Sequence, residues 1–416
     1  VRYSGTNRFR VFVLAVWCVM LLLTITGCIS SNQQSEPSAE KERETERPTK
    51  DPVQERIERM TQDEKIGQMM IVGLDGSEIS ETAKAMIGTY HVGGFIFYKD
   101  NIKDSRQLIE LTNSLKAANA ATGAPPLWLS VDEEGGRVTR MPPELVKVPA
   151  AEKIGKADNP ELAQNIGQTL GKGLTALGMN MNFAPVLDVN SNPNNPVIGD
   201  RSYDSRPERV AAIGIQVMKG LQKSQVIPVV KHFPGHGDTT VDSHIGLPVV
   251  NHDMDRLRAL ELKPFAEAVH SGAEAVMVGH MLLPKLDKEA PASLSRPVVT
   301  DLLRKELGFT GVVITDDLTM GAIIKQYNIG QAAVRSVDAG SDVLLVGHGF
   351  DEAKHVYDAV QQAVRDGILT MEQIDQSVAR ILRLKEKYRL SDEQAPFPDL
   401  TRINDDMQNA VKAIAP

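Results

Sequence analysis

The chain has 416 residues, 42% of them apolar and 24% charged, with a formal net charge of −8. This is the balance of a globular protein, and the acidic sign argues against a nucleic-acid partner. The length suits one large α/β domain or two ordinary ones.

The N-terminus is of different material. Arg2, Arg8 and Arg10 form a positive region, and an almost unbroken apolar run follows from Val11 to Ile25. The run is short for a membrane span and suits the core of a signal peptide. It ends in Ile25-Thr26-Gly27-Cys28, which resembles a bacterial lipobox. We therefore expect a signal peptide over 1–27 and lipidation at Cys28, with an uncleaved N-terminal anchor as the alternative. Val1 in place of Met fits an alternative start codon. Both readings place the domain outside the cytoplasm and tied to a membrane. Cys18 and Cys28 are the two cysteines of the chain, so no disulfide or thiolate metal site is expected in the mature domain.

Residues 28–51 are rich in Ser, Gln, Glu, Lys, Arg and Pro and read as a solvated tether. The globular domain is expected over 52–390, starting with a helix around Val53–Met60 and a capping-box sequence at Thr61–Glu64. Short apolar runs then alternate with amphipathic stretches. The runs are Gln68–Gly73, Gly94–Phe97, Leu127–Val131, Met181–Val186, Val226–Val230, Ala275–Val278, Val312–Thr315 and Val343–Val346. Several are rich in Val and Ile, as buried parallel strands should be. Helical patterns lie at Glu161–Leu177, Pro207–Leu221, Met254–Ser271, Ile329–Ala339, Asp351–Asp366 and Met371–Tyr388. After Leu390 a short polar tail is expected over 391–416. Eight strand–helix units predict a single (β/α)8 TIM-type barrel, with an open doubly wound sheet as the alternative. No GxGxxG follows the first strand, which argues against a dinucleotide fold.

Barrel active sites lie at the C-terminal ends of the strands, and polar residues collect there in this chain. The third strand leads into Asp132–Arg140, the fourth into Asp188 and Asn190 and the loop Ile198–Asp204. The fifth runs into Lys231-His232-Phe233-Pro234-Gly235-His236-Gly237-Asp238 and on to Asp242-Ser243-His244. His280 follows the sixth, Asp316-Asp317 the seventh and His348 the eighth. A metallohydrolase reading fails on strand one, which ends Gly73-Leu74-Asp75-Gly76 where such barrels usually carry His-x-His. Acid/base and nucleophilic chemistry on a sugar fits better. It needs an ionised carboxylate at the anomeric carbon and a proton donor about 5 Å from it for retention. Asp316 ends an apolar strand, where a carboxylate has little structural use, so it is the candidate nucleophile. Asp317 points to the other side and reads as a cap for the next helix. Asp242 and His244 stand at i and i+2, on one side of an extended loop, so the carboxylate can orient the imidazole. An imidazole ordinarily titrates near ~6.5, which suits general acid/base work. A surface Asp–His pair on a glycine-rich loop would give the same spacing.

Together these segments resemble glycoside hydrolase family 3, in its β-N-acetylglucosaminidase branch. The residues that carry the resemblance are DEEGGRVTR (Asp132–Arg140), NFAPVLD (Asn182–Asp188), IGDRSYD (Ile198–Asp204), KHFPGHGDTTVDSH (Lys231–His244) and TDDLTM (Thr315–Met320). The resemblance runs from about Thr61 to Leu390. It implies an exo-acting, retaining β-N-acetylhexosaminidase. Asp316 would form the covalent glycosyl-enzyme, His244 would act as acid/base, and Asp242 would set its basicity. Asp132, Arg140, Arg201, Lys231 and His232 would bind the terminal sugar. No metal or cofactor is implied. The substrate would be a small carbohydrate or muropeptide, peptidoglycan-derived given the export signal. His236 reads as loop structure, and no role falls to Glu133 or Glu134. The rival activities are a phosphorylase on the same scaffold, a β-glucosidase, and a sugar-binding lipoprotein without catalysis. The Asp-Ser-His loop disfavours the glucosidase, and a mere binder needs none of Asp316, Asp242 and His244. The oligomeric state is not legible.

Overall fold

The computed structural model describes residues 51–239 and 241–414, so the signal-like run, Cys28 and nearly all of the expected tether lie outside the described residues. The first helix, Pro52–Arg59, is capped by the Asp51 side chain, which accepts from the Val53 N–H at 3.0 Å. The expected capping box closes at Thr61, whose hydroxyl accepts from the Glu64 N–H while the Glu64 carboxylate accepts from the Thr61 N–H.

Eight parallel strands follow: β1 Met70–Gly73, β2 Gly94–Phe97, β3 Trp128–Val131, β4 Met181–Asn182, β5 Ile227–Phe233, β6 Ala275–Val278, β7 Val312–Thr315 and β8 Leu344–Val346. Each pairs with the next from β1 to β7, and β8 pairs with β1 through Met70–Leu344, Ile71–Leu345 and Val72–Val346. An isolated parallel bridge, Ile314–Val343, joins β7 to the chain entering β8. The sheet thus comes round on itself as the (β/α)8 barrel that the alternation of elements predicted. The strands are buried on both faces and mostly apolar, because one face fills the barrel and the other lies under helices.

Asp342 reinforces the seam between β7 and β8. It is fully buried, accepts from the Val313 N–H at 2.8 Å and from Arg304 at 2.6 Å, and takes Ser377 and Arg380 on its other oxygen at 2.9 Å each. At the same, N-terminal end of the barrel Lys385 is buried, with Nζ 2.8 Å from Gln68 Oε1, 3.0 Å from the Gly93 carbonyl and 4.9 Å from the centre of the Trp128 ring.

Four segments differ from expectation in ways that bear on the fold. β4 is shorter than the run Met181–Val186 because Pro185 has no N–H for the ladder, and pairing resumes at Val186–Lys231. β5 runs on to Phe233 and so takes Lys231 and His232 into the strand. The expected helix Met254–Ser271 is two helices, Met254–Ala259 and Lys263–His270. Pro264 cannot donate to the Leu260 carbonyl, and its ring would crowd it in a continuous helix. The segment expected to be a polar tail contains the helix Thr401–Ile414. Met407 and Ala410 on it are buried, and Asn404 is bonded on both sides, accepting from the Val146 N–H at 2.9 Å and donating to the Glu144 carbonyl at 2.8 Å. Among the described residues no helix is long and apolar enough to cross a membrane.

Candidate active site

The C-terminal ends of the strands surround a cavity of about 410 Å³. Asp132, Arg140, Arg201, Lys231, His232, His244 and Asp316, seven of the eight candidates read from the described sequence, line it. The eighth, Asp242, stands behind His244.

The floor is a network of charges supplied by β3 and β5. Lys231 is buried, and its Nζ lies 2.5 Å from Asp132 Oδ1 and 2.7 Å from Glu134 Oε1. Asp132 and Glu134 can both reach it because residues two apart on extended chain share a side. Glu134 also takes Arg201 in a fork, with Nε at 2.7 Å and Nη2 at 2.8 Å. Such paired, parallel bonds fix a guanidinium in orientation as well as position. Burial would push the Glu134 carboxyl up, but Arg201 and Lys231 outweigh it and hold the group well below the usual carboxylate range. Burial would likewise lower the Lys231 ammonium, and Asp132 and Glu134 keep it raised. Glu134 is therefore committed to holding two cations in place, a role its motif alone did not reveal.

Glu133, between these two carboxylates, points the other way and is buried. Its Oε2 accepts the backbone N–H of Arg140 at 2.7 Å and of Met141 at 3.3 Å, which ties down the loop that brings Arg140 to the cavity. Burial pushes its carboxyl up to about 7.

His232 is oriented from behind by Asp188, a fully buried carboxylate 2.7 Å from Nδ1. Asp188 also accepts the N–H of His236 at 2.6 Å. The His232 Nε2 is left facing the cavity, 3.5 Å from Arg201 Nη2. In the sequence Asp188 reads as a polar strand end closing the NFAPVLD segment, with no partner evident. Its position where β4 would continue, beside β5, was the available signal.

Asp316 follows β7 and is bonded through its own N–H to the Val278 carbonyl at 2.9 Å. Burial alone would raise its carboxyl. His280, His232, the Asp317 N–H (2.9 Å from Asp316 Oδ1) and Lys231 together hold it below the ordinary aspartate range. The Lys231 ammonium and the Asp317 amide are present at every working pH, so the carboxylate stays ionised. Burial pulls the His280 imidazole below its ordinary value against the pull of Asp316, and its two ring nitrogens face the Asp317 carbonyl (Nε2, 2.9 Å) and the Ser293 hydroxyl (Nδ1, 2.7 Å). Asp317 does not turn away from the barrel mouth as the alternation of strand residues predicts. It lines the same cavity, and it braces the following turn rather than capping a helix, because the chain after Thr315 is no longer extended strand. Its Oδ1 accepts from the Thr319 N–H, the Thr319 hydroxyl and the Gly347 N–H at 2.9, 2.8 and 2.9 Å. Tyr98 donates to its other oxygen at 3.4 Å and stacks on His348 at 4.5 Å, forming a wall of the cavity that the sequence did not disclose.

On the loop beyond β5, His244 Nδ1 lies 2.8 Å from Asp242 Oδ1, and the same oxygen accepts the His244 backbone N–H at 2.8 Å. Nε2 is thus the free nitrogen. His244 and its backbone N–H hold the Asp242 carboxyl down against partial burial. The pair is open, with the His244 side chain 67% exposed. His236 is buried, and burial pushes it down to about 4; it faces the Thr239 and Ser243 hydroxyls at 2.6 and 3.3 Å and also touches the cavity. Asp238 is committed to an ion pair with His252.

A buried carboxylate and an open carboxylate–imidazole pair thus line or adjoin one cavity, above a floor of paired cations and anions, which is the equipment that acid/base and nucleophilic chemistry on a polar ligand would require. The chain belongs to the glycosyl hydrolase family 3, whose N-terminal domain matches residues 61–384. It is 37% identical over 333 residues to beta-hexosaminidase A of Pseudoalteromonas piscicida, a match that takes in 74% of this chain and 55% of that one. This chain therefore spans little more than half of that relative. It is 36% identical over 330 residues to beta-hexosaminidase LpqI of Mycobacterium tuberculosis, covering 77% of this chain and 82% of the relative. Among solved structures, a glycoside hydrolase family 3 beta-N-acetylglucosaminidase from Paenibacillus sp. superposes with a TM-score of 0.82 at 41% identity, over 85% of this chain and 69% of the other.

Proposed function

We propose that the protein is an exo-acting, retaining β-N-acetylhexosaminidase that releases terminal β-linked N-acetylglucosamine. The observation that carries this reading is that Asp316 and His244 line one cavity while being opposite in character. Asp316 is buried and held ionised. His244 is open and held by Asp242 through Nδ1, with Nε2 free to exchange a proton. Asp316 attacks the anomeric carbon as the His244 imidazolium gives its Nε2 proton to the departing oxygen. The neutral ring then takes a proton from the water that releases the sugar, and the β configuration is restored. Asp132, with one oxygen on Lys231, has its other oxygen for a sugar hydroxyl. Arg140, Arg201, Lys231 and His232 position the rest of the ring by hydrogen bonds. The names of the hexosaminidase relatives support the N-acetylglucosamine preference.

We further propose that the enzyme is lipidated at Cys28, works outside the cytoplasm on the membrane, and acts on peptidoglycan-derived fragments. The sequence motif Ile25–Cys28 motivates this part. One experiment tests both. Aryl β-N-acetylglucosaminide and aryl β-glucoside are offered, with and without phosphate, to membranes from cells making the parent or Cys28→Ala. The N-acetylglucosaminide should be turned over preferentially and without need of phosphate. Parent activity should sediment with membranes, and Cys28→Ala activity should not. A strict phosphate requirement would make the protein a phosphorylase, and parent activity found in the cytoplasm would remove the lipoprotein reading.

A further inference from the structure

The loop bearing Asp242 and His244 sits against the chain that leaves β7 more closely than side chains ordinarily allow. A β-carbon added at Gly321 would stand 2.5 Å from the His244 carbonyl oxygen and 3.2 Å from both the His244 carbonyl carbon and the Ile245 carbonyl oxygen. These are backbone atoms, which cannot swing aside as a side-chain tip can. Gly321 is not among the glycines with positive φ, so conformational freedom is not what it supplies there. It supplies space. The close approach is fastened on either side. The Ala322 N–H donates to the Ser243 carbonyl at 3.0 Å, and Lys325 Nζ donates to the Ile245 carbonyl at 2.7 Å. Three consecutive residues of the loop are thus seated on the short helix Gly321–Ile324 and the lysine that ends it.

This seat matters because little else fixes the imidazole. Its side chain is 67% exposed. Its Asp242 partner is two residues away on the same loop and moves with it. The position of His244 over the cavity is therefore set by where the loop backbone rests, and it rests on the segment that also carries Asp316.

We propose that Gly321 is a positioning residue. Its missing side chain lets the segment after β7 clasp the backbone of Ser243, His244 and Ile245, which holds the His244 imidazole in register with the nucleophile of the same segment. Lys325 is the outer fastening of that clasp. The proposal rests on the reading of His244 as acid/base.

The test compares Gly321→Ala, Lys325→Met and Lys325→Arg with His244→Ala, on a disaccharide whose leaving sugar must be protonated and on an activated aryl glycoside. Amide hydrogen exchange over 241–247 is followed in parallel. Gly321→Ala should lower kcat on the disaccharide about 10²-fold, the lower bound for loss of general acid/base assistance. It should lower bond breaking in the aryl glycoside far less, leave KM nearly unchanged and speed exchange over 241–247. Lys325→Met, a change at an exposed side chain, should give the same split at no more than about tenfold, the scale of one ordinary solvent-exposed hydrogen bond. Lys325→Arg should restore it. If His244→Ala shows the split but Gly321→Ala lowers both substrates equally or neither, the positioning role is wrong and the acid/base reading stands. Unchanged exchange in both Gly321→Ala and Lys325→Met means there is no clasp. If His244→Ala itself shows no split, the acid/base reading falls, and the positioning role falls with it.

Discussion

Asp316→Ala is expected to lower turnover on every substrate, natural or activated, by several orders of magnitude, because the step it removes is bond formation at the anomeric carbon itself. A better leaving group cannot compensate for a missing nucleophile. Trapping with a fluorinated glycoside that forms the intermediate quickly and loses it slowly, followed by peptide mapping, should put the sugar on Asp316. The first product released should keep the β configuration by NMR. Asp317→Ala should behave differently. Its carboxylate serves the Thr319 and Gly347 amides, so its loss should act first on the melting temperature. A sugar adduct on any other residue would sink the assignment. Because Lys231 and the Asp317 amide hold Asp316 low, its carboxylate stays charged into the mildly acid range, and a fall in kcat/KM between about pH 5 and 6 should not belong to this group.

His244→Ala should instead discriminate between substrates. A sugar alkoxide must be protonated to leave, so natural glycosides should lose on the order of 10²- to 10⁴-fold. Activated aryl glycosides should still break their bond to the leaving group, and the glycosyl-enzyme should then accumulate, since no base remains to activate water. Azide needs no base and should restore turnover, giving a glycosyl azide. Asp242→Ala should give a weaker form of the same pattern. Equal losses on both substrates, with no accumulated intermediate and no azide rescue, would make His244 a structural residue. The carboxylates next in line would be poor substitutes: Glu134 is locked to Lys231 and Arg201, Glu133 to the Arg140 loop, and Asp238 to His252.

The outer layer of this site was legible in the sequence for a simple reason. Asp316, Lys231, His232 and Asp132 lie within or at the ends of apolar strands, and strand ends are where a barrel presents its chemistry. The i, i+2 spacing made the Asp242–His244 contact predictable, because it is local. What was not legible are the contacts between elements. Glu134 looked idle beside Asp132 until β5 brought Lys231, and the loop beyond β4 brought Arg201, within reach of it. Asp188 was one polar residue among several until it was seen behind the His232 ring. The C-terminal helix is masked in the sequence because polar and charged residues separate the apolar positions Ile403, Met407 and Ala410, which pack against the core on one face. The break at Leu260 was readable in principle, since Pro264 stands one helical turn beyond it.

The seam between β7 and β8 has a thermal consequence. This join has one isolated bridge, with backbone hydrogen bonds from the Val343 and Asp342 N–H to the Val313 carbonyl and from the Thr315 N–H to the Val343 carbonyl, and the buried Asp342 network beside them, where β6 and β7 pair through a four-residue ladder. The free energy of opening such a place locally is smaller than that of unfolding the whole domain. Asp316 follows the strand on one side of it, so a partial opening would draw the carboxylate away from Lys231 and His232 while most helices remained in place. On gentle heating the enzyme should therefore fall silent before its helical circular dichroism declines, and it should recover on cooling.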